Sequence, residues 1–297
     1  MLTTNLKGGL GNQMFQYATG RYISVKSGVE LYLDTNWFFK KDILNSDTKR
    51  KFELDKFNIK GQISDPDQAR KIKYPYGSLS KILSKFEKKF LDKYYLDYHP
   101  QLLKEIQEKL KKDPNTNIYL NGFFQSEKNF AEIRPLLLQE FQLKPEFITQ
   151  KVKEFEKQIE NNNSVSIHIR RGDYAQNPKT LKIHGLCPIS YYRDAIDLII
   201  KTVENPHFFI FTDDVAWAKE NLKISDPHTF VSGNDLSGPQ ELWLMSKCQH
   251  NIIANSSFSW WGAWLNQNPT KHVIAPEKWT VKNNEHPNII AEGWITL

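Results

Sequence analysis

The sequence predicts an α/β protein built as two Rossmann-like domains with a cleft between them. Three observations carry that expectation. A β-α-β unit opens the chain, and short apolar strands alternate with amphipathic helices after a polar stretch at residues 161–164. The length of 297 residues suits two ordinary domains better than one. The expected boundary puts residues 1–160 in the first domain and 161–297 in the second.

The elements follow in order. Residues 2–6 read as a strand and Gly8, Gly9 and Gly11 as a turn. Residues 13–27 then read as a helix, with Phe15, Ala18, Tyr22 and Val25 at helical spacing. A second strand ends at Asp34. Mainly helical, lysine- and tyrosine-rich sequence comes next, with Leu79, Ile82, Leu83, Phe86 and Phe90 on one helical face. A strand is expected over 118–124, then two helices interrupted at Pro135 and Pro145. Beyond the polar stretch the pattern predicts strands at 164–170, 206–214, 250–255 and 272–276. Helices at 189–203, 215–222, 240–247 and 260–266 alternate with them.

Composition narrows the classes. Hydrophobic residues make up 39% of the chain and aromatic residues 13%, enough to build cores and to exclude wholesale disorder. No apolar run approaches a membrane span, and the N-terminus lacks the apolar stretch of a signal peptide. Two cysteines, Cys187 and Cys248, are too few for a disulfide framework and point to a reducing compartment. The net charge of +6 suggests an anionic partner. It is concentrated in residues 70–112, which hold twelve Lys or Arg against five Asp or Glu, so the remainder of the chain sums to −1. The face from Leu79 to Phe90 with Lys81, Lys85, Lys88, Lys89 and Lys93 fits a membrane-surface helix, or a core-facing helix with a solvated lysine side.

Chemistry concentrates in two motifs. In SVSIHIRRGDY, alternation puts Val165, Ile167 and Ile169 on one face of a strand, and Ser166, His168 and Arg170 on the other. His168 and Arg170 thus converge at the strand's carboxyl end, where open α/β sheets bind ligands. A guanidinium there suits a diphosphate, though an Arg170–Asp173 pair closing the turn is the structural alternative. Arg171 points the other way unless the strand has already ended. In HNIIANSSFSWWGAWLN, a buried strand ends at Asn255-Ser256-Ser257 and a helix begins near Phe258, an arrangement that makes an anion site. Capping by Ser257 or Ser259 is the plainer account, and Trp260, Trp261 and Trp264 read as core. Glu241 opens the preceding helix, where a carboxylate can accept from guanine or simply suit the helix N-terminus.

Other patterns are weaker. Gly8-Gly9-Leu10-Gly11 with Asp34 resembles a dinucleotide turn and supports a rival reading as an NAD-dependent oxidoreductase. Met14 occupies the third glycine position and is too large for the close packing required there. Asp213-Asp214 and Asp65-Pro66-Asp67 are explained by helix capping, without metal. His184, in a loop entering a helix, reads as solvated. A third reading, a non-catalytic protein that uses the basic segment on nucleic acid or membrane, rests on charge alone.

Five motifs in order and spacing, KGGLGNQMFQYA, HIRRGDY, HGLC with Tyr191-Tyr192, FTDD and NSSFSWWGAWL, resemble the α-1,2-fucosyltransferases of glycosyltransferase family 11. The resemblance runs from Lys7 to Leu265. It implies a GT-B-like fold, GDP-β-L-fucose as donor and co-substrate, inversion at the anomeric carbon, no metal or other cofactor, and a terminal galactose acceptor. That acceptor is an oligosaccharide or a lipid-linked glycan. By the same resemblance Arg170 holds the donor's diphosphate and His168 lies beside the nucleotide. Ser256, Ser257 and Phe258 form the donor-binding turn with Asn255, and Glu241 falls where more distant fucosyltransferases place an Asp on guanine. Gly11 and Asn12 belong to the turn facing the donor–acceptor cleft. Asp173 is the candidate general base, with Asn12 and His184 as further candidates, and His184 and Tyr174 are assigned to the acceptor side. The start of the chain looks bacterial and cytoplasmic. Residues 70–112 become a candidate peripheral contact with the anionic inner membrane, and no nucleic-acid partner is expected.

Overall fold

The structure, a computed structural model, describes residues 1–39, 50–74, 93–94, 100–281 and 289–297, without the side chains of Lys93, Tyr94, Pro100, Leu102 and Asp173. The helical face expected over 79–90, and with it the middle of the basic segment, lies outside these residues. Its described ends are helices Pro66–Lys73 and Pro100–Lys112. Each gathers basic side chains in its last turn, Arg70, Lys71 and Lys73 in one and Lys109, Lys111 and Lys112 in the other. There they complement the negative end of the helix dipole, a local reason for charge that asks for no partner.

The chain divides into two compact units, Met1–Phe141 and Gln142–Leu297. The division falls earlier than the expected 160 because helix Gln150–Glu160 belongs to the second unit. Lys247 of helix Gly238–Lys247 pairs with Glu156 at 3.6 Å. Nearby, Gln240 Nε2 donates to the Phe147 carbonyl at 2.8 Å.

The first unit is a parallel sheet of β1 (Leu2–Asn5), β2 (Leu31–Asp34), β3 (Gln62–Ile63), β4 (Lys93–Tyr94) and β5 (Ile118–Leu120), in the order β3-β2-β1-β5-β4. Helix Leu10–Ser27 crosses from β1 to β2 and buries Met14, Phe15, Tyr17, Ala18 and Ile23. It starts earlier than expected, with Gly9 as N-cap, so Gly11 and Asn12 lie in its first turn rather than in the preceding loop. It ends at Gly28, whose φ of +70 is a left-handed cap. Tyr17 donates to Glu140 at 2.5 Å and Arg21 Nη2 pairs with the same carboxylate at 2.8 Å. A buried acid is thereby satisfied, and helix Arg134–Glu140 is tied to the first helix.

The oxidoreductase reading fails here. Met14 is fully buried in the core, and Asp34 accepts from Tyr119 Oη at 2.5 Å and from the Asn36 N–H at 2.9 Å. The carboxylate that would hold a ribose is already engaged.

The second unit carries a six-stranded parallel sheet: β6 (Asn163–Ile169), β7 (Pro206–Thr212), β8 (His228–Phe230), β9 (His250–Ile252), β10 (Val273–Ala275) and β11 (Ile295–Thr296). The order is β11-β10-β9-β6-β7-β8. The alternation expected along β6 is present. Val165, Ile167 and Ile169 pack with Tyr192, Ala195, Ile196 and Ile199 of helix Ile189–Thr202, while the Ser166 hydroxyl accepts from Asn251 Nδ2 at 2.7 Å on the other side. Trp260, Trp261 and Trp264 are core, as expected.

Several elements differ from expectation. The strands β8 and β11 and the helices Gly172–Gln176 and Pro178–His184 were not anticipated, being too short to show a period. The strand expected to reach 124 stops at Leu120. Phe124 has φ +54, a left-handed conformation that no strand tolerates.

Helix Leu10–Ser27 lies close against β1 and β2 at Gly20. A methyl group there would sit against Thr4 Oγ1 and 2.9 Å from Leu31 Cδ1. Gly20→Ala should therefore destabilise the first unit by about 1–3 kcal/mol, despite alanine's higher helix propensity. Urea unfolding would check this; an unchanged or raised midpoint would show that the helix moves aside freely.

Candidate functional site

The site assembles at the carboxyl ends of β6, β7 and β8, where helix starts and strand ends leave backbone groups available. Arg170 follows β6 directly. Its Nη1 pairs with Asp213 Oδ2 at 2.6 Å, at a place where both side chains keep some exposure to solvent. Asp213 Oδ1 also accepts from the backbone N–H groups of Arg171 at 2.8 Å and Gly172 at 3.0 Å. One carboxylate thus fixes both the guanidinium and the backbone that carries it. Gly172 is required by the same contact, since a Cβ there would lie 2.5 Å from Asp213 Oδ2.

Capping explains only half of the Asp213-Asp214 pair. Asp214 caps helix Val215–Asn221, accepting from the Trp217 N–H at 3.2 Å, and Asp213 turns instead to Arg170. Arg171 points away as expected. Its guanidinium lies 3.9 Å from the Trp217 ring centre and pairs with Asp214 at 3.4 Å.

His168 is buried, and its Nδ1 has no hydrogen-bond partner among the described residues. Burial pushes the imidazole down to about 3; Asp213 opposes the shift and Arg170 adds to it. The ring is neutral at physiological pH and retains one accepting and one donating nitrogen. Phe258 stands beside it, with ring centres 5.5 Å apart.

Helix Ser257–Leu265 begins at the end of the buried segment after β9, with Ser256 as N-cap. The Ser256 side chain makes no capping bond. Ser259 turns back into the protein, donating to the carbonyls of Ser256 at 3.3 Å and Ala254 at 3.5 Å. Serine capping therefore does not account for the turn, and Ser256 and Ser257 remain at a nine-residue helix N-terminus beside Phe258.

Glu241 lies in the first turn of helix Gly238–Lys247, bonded to the Ser232 hydroxyl. Burial pushes its carboxyl up to about 7, the Asp213 charge adds to the rise, and the Ser232 bond opposes it. Ser232 is itself fixed, accepting from the Thr212 N–H at 2.8 Å.

Tyr174 and His184 gather on the other side of Arg170. Their rings stack at 4.8 Å, and the Arg170 guanidinium lies 5.2 Å from the Tyr174 ring centre. His184 ends helix Pro178–His184, so it is held rather than solvated. A cavity of about 470 Å³ opens beside it, lined by His184, Cys187, Tyr191, Asn255, Glu277 and Lys278 among others. Asn255 braces this wall: its Nδ2 donates to the carbonyls of His184 at 2.8 Å and Trp279 at 3.3 Å, and its Oδ1 accepts from the Cys187 thiol at 3.4 Å. Burial pushes that thiol up to about 11, so Cys187 is packing rather than a nucleophile.

The Asp173 side chain lies outside the described ones. Gly11 and Asn12 belong to the first unit, where Asn12 Oδ1 accepts from Gln125 Nε2 at 2.7 Å. Among the described residues, no three His, Cys, Asp or Glu side chains come together as metal ligands. Sequence reasoning missed Asp213, Ser232 and Gln125. The signal for Asp213 was present in the doublet, which holds one acid more than a cap needs.

Glu241 makes stability depend on pH in a definite direction. With the folded carboxyl near 7 and the ordinary value at 4.5, the folded protein holds a proton that the unfolded chain releases between those pH values. The penalty is absent at low pH, grows through that window and is complete above 7. Glu241→Gln should therefore stabilise the protein at pH 8 by about 1–3 kcal/mol, allowing for partial exposure, and leave it unchanged at pH 4. Urea unfolding at both pH values checks the sign.

Comparison with known proteins places the chain in a family. The model of the family described as Glycosyl transferase family 11 matches residues 67–297. The O-antigen biosynthesis glycosyltransferase WbnK of Escherichia coli is 36% identical over 98% of this chain and 99% of its own. The alpha-1,2-colitosyltransferase of Escherichia coli is 38% identical over 94% of this chain and 92% of its own. Among solved structures, the NodZ alpha-1,6-fucosyltransferase, a Bradyrhizobium protein, aligns with a TM-score of 0.50 at 13% identity, covering 89% of this chain and 91% of that one. The fold is the GT-B-like α/β class expected from the motifs. The chain is a glycosyltransferase and belongs to glycosyl transferase family 11.

Proposed function

We propose that the protein transfers L-fucose from GDP-β-L-fucose to the 2-hydroxyl of a terminal galactose, with inversion at the anomeric carbon. The observation that carries this reading is the Arg170–Asp213 pair at the carboxyl edge of the sheet, beside a buried neutral His168 whose Nδ1 has no partner among the described residues. In the reaction the bond from C1 of fucose to the β-phosphate oxygen breaks, and the galactose O2 bonds to C1 from the opposite face. GDP departs with a growing negative charge on its diphosphate. Asp213 holds one end of the Arg170 fork so that the cation is already in place when that charge develops. Ser256 and Ser257, at the helix start, add hydroxyl and backbone donors. The Glu241 carboxylate accepts from N1–H and N2–H₂ of guanine. Asp173, in the turn after Arg170, takes the proton of the acceptor hydroxyl.

In this reading residues 161–297 carry the donor and residues 1–160 the acceptor. The acceptor is a galactose-terminated oligosaccharide or a lipid-linked glycan. A lipid-linked acceptor would bring the protein to the cytoplasmic face of the inner membrane, with residues 70–112 toward anionic lipid.

A second donor has a specific observation behind it, the similarity to an alpha-1,2-colitosyltransferase. Colitose is L-fucose without its 3-hydroxyl, so the same diphosphate and guanine contacts serve both sugars. Incubation with GDP-fucose and GDP-colitose in parallel, each with a panel of galactose-terminated oligosaccharides, separates the two. An α-1,2-fucosylated product identified by NMR is the expected result. Product from GDP-colitose alone reassigns the donor, and product from neither overturns the reading.

Arg170→Ala should lower transfer by at least about 10³-fold while leaving the circular dichroism spectrum unaltered. Arg170→Lys should be nearly as damaging, because it keeps the charge and loses the fork. Near-normal turnover in either variant contradicts the leaving-group role. Asp173→Asn should abolish the acidic limb of the pH–rate profile; retained activity with an unchanged profile removes Asp173 as the base.

A further inference from the structure

The loop after β5, residues 121–125, holds the one non-glycine residue with positive φ among the described residues of the first unit. Phe124 is 3% exposed and has φ +54, a conformation that strains a bulky residue. Its carbonyl accepts from the Ser126 N–H at 2.8 Å and from the buried Asn129 Nδ2 at 3.0 Å, and its ring is anchored in the core. Strained residues held this firmly cluster at active sites and ligand clamps.

Those neighbours form a coherent surface. Phe123 stands 38% exposed. Gln125 reaches across the unit to Asn12 in the first turn of helix Leu10–Ser27, at 2.7 Å. Asn121 Oδ1 accepts from Asn5 Nδ2 at 2.9 Å and from Lys7 Nζ at 3.4 Å, and Lys7 lies 4.7 Å from the Phe123 ring centre. All of them sit at the carboxyl ends of β1 and β5, which are adjacent parallel strands. An exposed aromatic ring with one ammonium over one face and amides around it, and no carboxylate among these described residues, suits a neutral sugar on its other face. The C–H face of a pyranose packs on the ring, and amide groups exchange hydrogen bonds with its hydroxyls.

We infer that residues 121–125, with Lys7 and Asn12, form the platform for the acceptor's terminal pyranose. Phe123 is the stacking ring, and Gln125 is a positioning residue that orients the Asn12 amide. The inference deepens the proposed transferase reading and rests on it for the identity of the sugar.

The test is direct binding, so that it stands apart from turnover. Saturation-transfer NMR with methyl β-D-galactoside, in the presence of GDP, should show contact with the wild-type protein and with Arg170→Ala. The signal should fall at least tenfold in Phe123→Ala and return in Phe123→Trp. Gln125→Ala should weaken it less and should lower kcat for transfer more than it raises the acceptor KM. The GDP-induced thermal shift of Phe123→Ala should match that of the wild type, which shows that the variant is folded. Undiminished saturation in Phe123→Ala overturns the inference, and so does absence of galactoside binding to the wild type. Failure of the transferase reading would appear separately, as absence of product from both GDP-sugars.

Discussion

The second unit depends on one carboxylate. Asp213, at the end of β7, reaches the end of β6 through three donors: the Arg170 guanidinium and two successive backbone N–H groups. A charge-assisted contact of this kind is strong because it is partly withdrawn from water and meets a planar partner. It also sets the electrostatics around it. The same negative charge raises the Glu241 carboxyl and opposes the depression of His168. Removing Asp213 would therefore alter three other groups together, and such coupling makes their contributions non-additive.

Much of the architecture was legible because parallel sheets advertise themselves. Alternation along 164–170 assigned the two faces of β6 correctly, and the apolar face does pack on helix Ile189–Thr202. The tryptophans of helix Ser257–Leu265 read as core and are core. Short elements escaped notice, since three residues of β8 or two of β11 cannot show a period. The two compact units divide earlier than the polar turn for a different reason. The polar turn at 161–164 marks the end of a helix, but that helix packs against Gly238–Lys247, far along the chain, and only tertiary contact reveals it.

The site was legible in its residue types and less so in their connections. His168 and Arg170 follow from strand alternation. That Arg170 pairs with Asp213 depends on β6 and β7 lying side by side, which sequence spacing does not encode. The strained Phe124 was hidden for a similar reason. Its sequence, IYLNGFF, favours a strand on propensity, and the conformation is imposed by Asn129 and by the burial of the ring.

The sheet order bears on how the protein is made. β1 leaves the ribosome before both of its partners, yet it lies in the middle of its sheet, with Leu2 paired to Leu31 on one side and Ile118 on the other. One edge can close early, once residues 31–34 emerge. The other stays open through more than eighty further residues of synthesis, an unpaired strand edge on a nascent chain. β6 repeats the situation in the second unit, pairing with β7 before β9 exists. Among the described strands every pairing is parallel and none is a hairpin, so these sheets close through distant contacts. The buried tyrosine–glutamate–arginine network at Glu140 forms only when the first unit is nearly complete.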